Sequence, residues 1–149
     1  MKKNYQNKPF VIKKEVILDY KVKDIWDIVV DKEHYEWRKD VKKIEIFHNG
    51  NKWIEYYDKK SKWYTNFTLQ AKNEYQVYSY KMESKNFCGN WSWQFIVAGK
   101  NKTKVIFAEV KFFENMLKKF TIKLFCNGEK IQEEYINNLL TILKTKHSE

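Results

Sequence analysis

Arginine, cysteine and glycine are nearly absent from this chain of 149 residues, and each shortage narrows what it can do. The two cysteines, Cys88 and Cys126, stand far apart, with no CxxC pair and no Cys/His spacing of a zinc site. No helix start or neighbouring histidine is visible to activate either thiol, and whether the two meet depends on the fold. Four glycines are too few for a glycine-rich phosphate loop, and no GxSxG turn occurs. His34, His48 and His147 form no HxH or HExxH arrangement, so neither a metal nor a cofactor is expected. No apolar run reaches the ~18 residues of a membrane span. Met1-Lys2-Lys3 leads into Asn4-Tyr5-Gln6-Asn7 rather than into the apolar stretch of a signal peptide. A reduced, cytoplasmic protein is the expectation.

What is abundant is lysine and aromatic surface. The net charge is +10, yet of the 29 basic residues only Arg38 is arginine. Nucleic-acid surfaces favour the guanidinium fork, and here lysine is spread evenly, never in a run longer than two. A solvated lysine coat is therefore expected, not a nucleic-acid interface. The mean hydropathy of −0.75 alone would suit a disordered chain. Ten Phe, ten Tyr and six Trp exclude that, because disordered segments lack such residues. One domain over residues 1–149 is expected, long enough to bury roughly 70% of its unfolded surface.

Phe10–Leu18 is β-branched and alternating, a strand. Val22, Ile25, Trp26 and Val29 share a helical face, so residues 21–30 are predicted helical, with a second short helical turn at Lys32–Trp37. Val41–Phe47 alternates again, and Asn49-Gly50 predicts a type I′ hairpin. Strands are then predicted at Lys52–Tyr57, Trp63–Leu69, Tyr75–Met82, Phe87–Val97 and Thr103–Phe113, each bounded by turn residues. From Glu114 the period becomes helical: Leu117, Phe120, Leu124, Ile131, Tyr135, Leu139 and Ile142 form one stripe, interrupted at Asn127-Gly128. Hairpin-linked strands followed by a helix predict an α+β fold, with a curved seven-stranded antiparallel sheet wrapped around a long C-terminal helix.

Ile25-Trp26, Asp31, Trp37 and Val41 in this order resemble the start of START-like helix-grip proteins. More narrowly they resemble the polyketide cyclase/dehydrase group of the SRPBCC superfamily. The resemblance continues through Trp53-Ile54-Glu55, Thr65-x-Phe67, Gly89-x-Trp91-x-Trp93-x-Phe95, Thr103-x-Val105 and the terminal helix, from about Phe10 to Leu143. It departs where a Ser or Pro often precedes the first helix and Tyr20-Lys21 stand instead. The resemblance implies a cavity between sheet and long helix for an apolar or amphipathic small molecule. It implies no shared catalytic residue.

Alternation places Trp53, Glu55 and Tyr57 on one face, and likewise Trp63, Thr65, Phe67 and Leu69. Phe87, Gly89, Trp91, Trp93, Phe95 and Val97 form a further row, and Thr103, Val105, Phe107 and Glu109 another. By alternation alone these rows read equally as packed sheet core; with the cavity the resemblance implies, Trp53, Glu55, Trp63, Thr65, Phe67, Trp91, Trp93, Phe107, Glu109, Phe120 and Leu124 are expected to line it. Glu55 and Glu109 are the sharper residues, because a carboxylate among aromatics needs a partner or a proton. Either could act as a general acid/base or anchor a ligand hydroxyl or carbonyl; a β-bulge that flips the parity, or a lysine or tyrosine partner, would account for both without chemistry. The expected function is binding of a small hydrophobic ligand, lipid or polyketide-like. The alternatives are a cyclase/dehydratase-type enzyme in the same cavity and a co-chaperone-like or RNA-associated domain acting through the basic surface. The oligomeric state is not legible.

Overall fold

The computed structural model describes residues 8–114 and 128–148. Seven strands, β1 (Phe10–Leu18), β2 (Lys43–Phe47), β3 (Lys52–Tyr56), β4 (Tyr64–Asn73), β5 (Val77–Glu83), β6 (Phe87–Gly99) and β7 (Lys102–Phe113), form one sheet in the order β1-β7-β6-β5-β4-β3-β2. Every neighbouring pair is antiparallel. The meander from β2 to β7 is what short turn-linked strands produce, and β1 closes onto its far end by pairing with β7. Helix α1 (Val22–Val29) follows β1, and α2 (Gly128–His147) is the C-terminal helix.

Alternating residues turn one face of each strand inward. Along β3, Trp53 and Glu55 are buried; along β4, Thr65 and Phe67; along β5, Tyr78, Tyr80 and Met82. The same parity buries Trp91, Trp93 and Phe95 on β6, and Thr103, Val105, Phe107 and Glu109 on β7. Against this face α1 buries Ile25, Trp26, Ile28 and Val29 although Lys21 supplies no side-chain cap. Packing rather than capping holds α1, since burying each large apolar side chain contributes roughly 1.5–3 kcal/mol. Trp26 meets Tyr75, Tyr78 and Phe95 edge-on, while Trp53 stacks on Phe67 at 5.2 Å. Gly89 is required by the sheet itself: a Cβ there would sit 1.9 Å from the Val110 carbonyl oxygen of the paired strand.

Three local expectations differ from the structure. Lys32–Trp37 contains bends and a turn but no helix. Asp31 is the reason: its Oδ1 accepts the backbone N–H groups of Glu33 (2.9 Å) and His34 (3.3 Å), offering the chain a side-chain turn in place of helical bonds. The β2–β3 connection is a four-residue loop rather than a two-residue type I′ turn. His48, Asn49 and Gly50 there have φ of +50°, +57° and +90°, and Phe47 pairs with Lys52. Finally, α2 turns Gln132, Tyr135, Ile136, Leu139 and Leu143 inward, whereas Ile131 is 39% exposed and Ile142 only partly buried. The expected stripe is thus rotated by about one residue. Leu117, Phe120, Leu124 and Cys126 lie outside the described residues. Cys88 carries a free thiol.

Candidate functional site

The segment between α1 and β2 sends two cations inward. Its turns, with Arg38 N–H donating to Tyr35 O (2.9 Å) and Val41 N–H to Arg38 O (3.4 Å), bring Arg38 to the end of β3. There its side chain is 10% exposed and bridges two carboxylates. Nε and Nη2 donate to Asp40 at 3.0 and 2.7 Å, and Nη1 and Nη2 to Glu55 at 3.4 and 3.3 Å. The guanidinium also lies over the Tyr135 ring, 4.7 Å from its centroid. Burial is the largest single influence and opposes the Arg38 cation, but Glu55, Asp40 and Tyr135 together outweigh it, so the group stays charged.

Asp40, which is exposed, anchors the fork tightly, whereas Glu55 is held at the outer limit of hydrogen-bond length. The Tyr57 hydroxyl donates to Glu55 Oε2, also at 3.4 Å. Three long bonds satisfy this carboxylate in place, and a ligand hydroxyl or amine could compete for it.

Lys32 is the second cation. Its ammonium donates to Val29 O at 3.0 Å and stands 5.2 Å from the ring centroids of Trp53 and Tyr78 and 5.8 Å from that of Tyr80. Burial lowers its pKa to about 8 against the opposing pull of Glu55. Burial likewise pushes Tyr57, Tyr78, Tyr80 and Tyr135 upward, keeping four hydroxyls neutral beside the ion pair.

Further along the face, Glu109 pairs with Lys111 at 2.8 Å, and that ammonium lies 4.7 Å from the centre of the Phe87 ring. Between the two ion pairs sit the rings of Trp91, Trp93 and Phe107, with Tyr135 of α2 5.1 Å from Trp93. Several buried polar groups in this interior make no hydrogen bond among the described residues. They include the indole N–H groups of Trp37, Trp53 and Trp91 and both side-chain atoms of Gln132, a residue with no exposed surface.

Of the residues expected from the sequence, Trp53, Glu55, Thr65, Phe67, Trp91, Trp93, Phe107 and Glu109 all lie buried on the concave face. Trp63 does not: it precedes β4, is 63% exposed, and lines no interior surface. Val97 is 68% exposed although it still pairs with Thr103, at the last regular position before the register shift between Val97 and Gly99. Phe120 and Leu124 lie outside the described residues. Both glutamates keep the inward parity and have basic partners, the lysine expected as one outcome at Glu109 but an arginine at Glu55. Lys32, Arg38, Gln132, Tyr78 and Tyr80 were not anticipated as site residues. The signal for Arg38 was present: one arginine among 29 basic residues marks a position that needs a fork. His34 is bound to Asp31 at 2.7 Å and points to solvent, away from this cluster. Among the described residues no group of His, Cys, Asp and Glu could hold a metal ion. A surface cleft between the β2–β3 loop and the β4 bulge, lined by His48, Lys52 and Lys72, lies apart from the cluster and gathers no acid/base pair.

No family model and no curated protein matches the sequence. Solved structures do match, over nearly the whole chain. The Zhui aromatase/cyclase from Streptomyces sp. R1128 is 12% identical with a TM-score of 0.73, covering 92% of this chain and 94% of that one. A START superfamily protein from Mycobacterium smegmatis is 14% identical with a TM-score of 0.66, covering 91% and 95%. Norcoclaurine synthase from Thalictrum flavum, solved with dopamine and hydroxybenzaldehyde, is 13% identical with a TM-score of 0.67, covering 92% and 87%. At such identities the likeness is one of backbone. With its seven antiparallel strands curved over a C-terminal helix, this chain has the START-like helix-grip fold.

Proposed function

We propose that the protein binds a small amphipathic molecule, with an apolar and preferably aromatic body and an oxygen-bearing end, between the concave face and α2. The observation that carries this reading is the set of buried donors and acceptors without a protein partner among the described residues, Gln132 and the indoles of Trp53 and Trp91. Native interiors pair nearly all such groups. Here they stand among aromatic rings and beside the loosely held Glu55, a polar lining that suits a ligand with its own hydroxyl or carbonyl better than a plain hydrocarbon. The neighbours' names agree in kind: one is an aromatase/cyclase, another was solved with dopamine and hydroxybenzaldehyde, both phenols. A cytoplasmic location belongs to the same reading.

An enzyme in the same cavity is the second reading, and one observation favours it. Lys32, with a pKa of about 8, presents an appreciable fraction of free amine near neutral pH. Such an amine can condense with an aldehyde.

One experiment separates the two. Native mass spectrometry of freshly purified protein should show a co-purifying molecule that is lost on denaturation. A mass that survives borohydride treatment and denaturation and maps to Lys32 supports the enzyme. Bare protein in both spectra, together with no saturable uptake of an apolar dye, would remove both.

A further inference from the structure

Lys59-Lys60-Ser61-Lys62-Trp63-Tyr64, joining β3 to β4, is exposed at every residue. Trp63 is 63% exposed and Tyr64 45%. The other five tryptophans are buried or partly buried, so the one indole given to solvent stands in the loop that also carries three lysines. We infer that this loop is a docking surface for an anionic lipid bilayer.

The loop is held in shape rather than loose. Asp58 Oδ1 accepts the Trp63 N–H at 2.9 Å, Tyr57 N–H donates to Trp63 O at 2.9 Å, and Ser61 N–H donates to Asp58 O at 3.2 Å. Ser61 takes a left-handed φ of +56° within this frame. The backbone bond from Trp63, the largest cause, holds the Asp58 carboxyl below its ordinary range. The only acid in the loop is thus turned to its own backbone. Among the described residues, no carboxylate forms an ion pair with Lys59, Lys60 or Lys62. Lys42, also exposed, adds a fourth cation on the same rim, its N–H bound to Tyr56 O at 2.8 Å.

Charge and ring type together select the partner. Lysines near a membrane are drawn to anionic headgroups, and Trp and Tyr settle at the depth where an apolar body meets a polar tip. A nucleic-acid surface would favour arginine forks, and the chain's single arginine is buried against Glu55. The loop also continues directly into the buried cluster, since Tyr57 bonds both the Trp63 carbonyl and Glu55. The inference does not depend on what the interior binds.

Sedimentation with vesicles tests it. The full chain should partition onto vesicles containing one-third phosphatidylglycerol and hardly at all onto pure phosphatidylcholine. Replacing Lys59, Lys60 and Lys62 together by Gln should lower partitioning about 100-fold, at about fivefold per lysine. Trp63→Ala should lower it about tenfold while leaving the melting curve unchanged. Anionic vesicles should also shield wild-type tryptophan fluorescence from acrylamide, an effect absent in Trp63→Ala. Equal binding to both vesicle types, undiminished binding by the lysine variant, or tighter binding to single-stranded RNA than to anionic vesicles at the same salt would overturn the inference.

Discussion

Arg38→Met is expected to lower folding stability by about 3–5 kcal/mol, the range for removing one partner of a buried ion pair. The loss comes less from the bond removed than from the charge left behind. Glu55 is 4% exposed, and its other supports are one long bond from Tyr57 and the field of Lys32. Asp40, being exposed, regains water and contributes little to the loss. Arg38→Lys should restore only part of the stability, because a single ammonium cannot hold two carboxylates edge to edge as the fork does. The double variant Arg38→Met/Glu55→Gln should recover most of it by removing the stranded charge. Urea unfolding of wild type, Arg38→Met, Glu55→Gln and the double variant gives the coupling directly. If Arg38→Met alone is as stable as wild type, the pair is ornamental and Glu55 is solvated in solution.

The second large effect is a stability profile that rises and then collapses at alkaline pH. Lys32 has its pKa lowered from the ordinary 10.5 to about 8, so between these values the unfolded chain binds more protons and stability increases with pH. The gain is at most about 3 kcal/mol, and Lys32→Met should abolish the rise. Tyr57, Tyr78, Tyr80 and Tyr135 act in the opposite sense. Burial raises each of them, so their contribution is complete below the unfolded tyrosine pKa of about 10 and is lost above it. With four such groups the loss approaches roughly 5 kcal/mol per pH unit, and unfolding should be cooperative. Absorbance at the phenolate band should show these four appearing only as the chain unfolds. A single smooth titration of all ten would contradict the burial assigned to them.

The strands and the helix-grip architecture were legible because two physical periods dominate the sequence. Period-two alternation in Trp53–Glu55, Trp91–Phe95 and Thr103–Glu109 fixes which side chains share a face, and the structure keeps each of these rows. The failures are local and have local causes. Asp31 captures backbone donors and replaces a helical turn at Lys32–Trp37, a competition that apolar spacing does not record. Trp63 precedes the β4 ladder, where parity no longer dictates direction, and Val97 stands at the last regular pair before the β6 register shift, at the exposed end of its row. The site was less legible than the fold. Lys32 and Arg38 sit in a connection rather than a strand, so neither alternation nor helical spacing could assign them a face. Arg38 nonetheless carried a clue in being the one arginine, the residue a bridging fork requires.

The central claim is that the buried indoles of Trp53 and Trp91 and the amide of Gln132 serve a ligand. Chemical-shift titration of nitrogen-labelled protein with anilinonaphthalene sulfonate, an aromatic body with an anionic end, tests it most directly. The expected result is saturable movement of the Trp53 and Trp91 indole resonances and of the Gln132 side-chain amide, with Trp63 stationary. Movement of Trp63 alone, or of no indole at all, would contradict it.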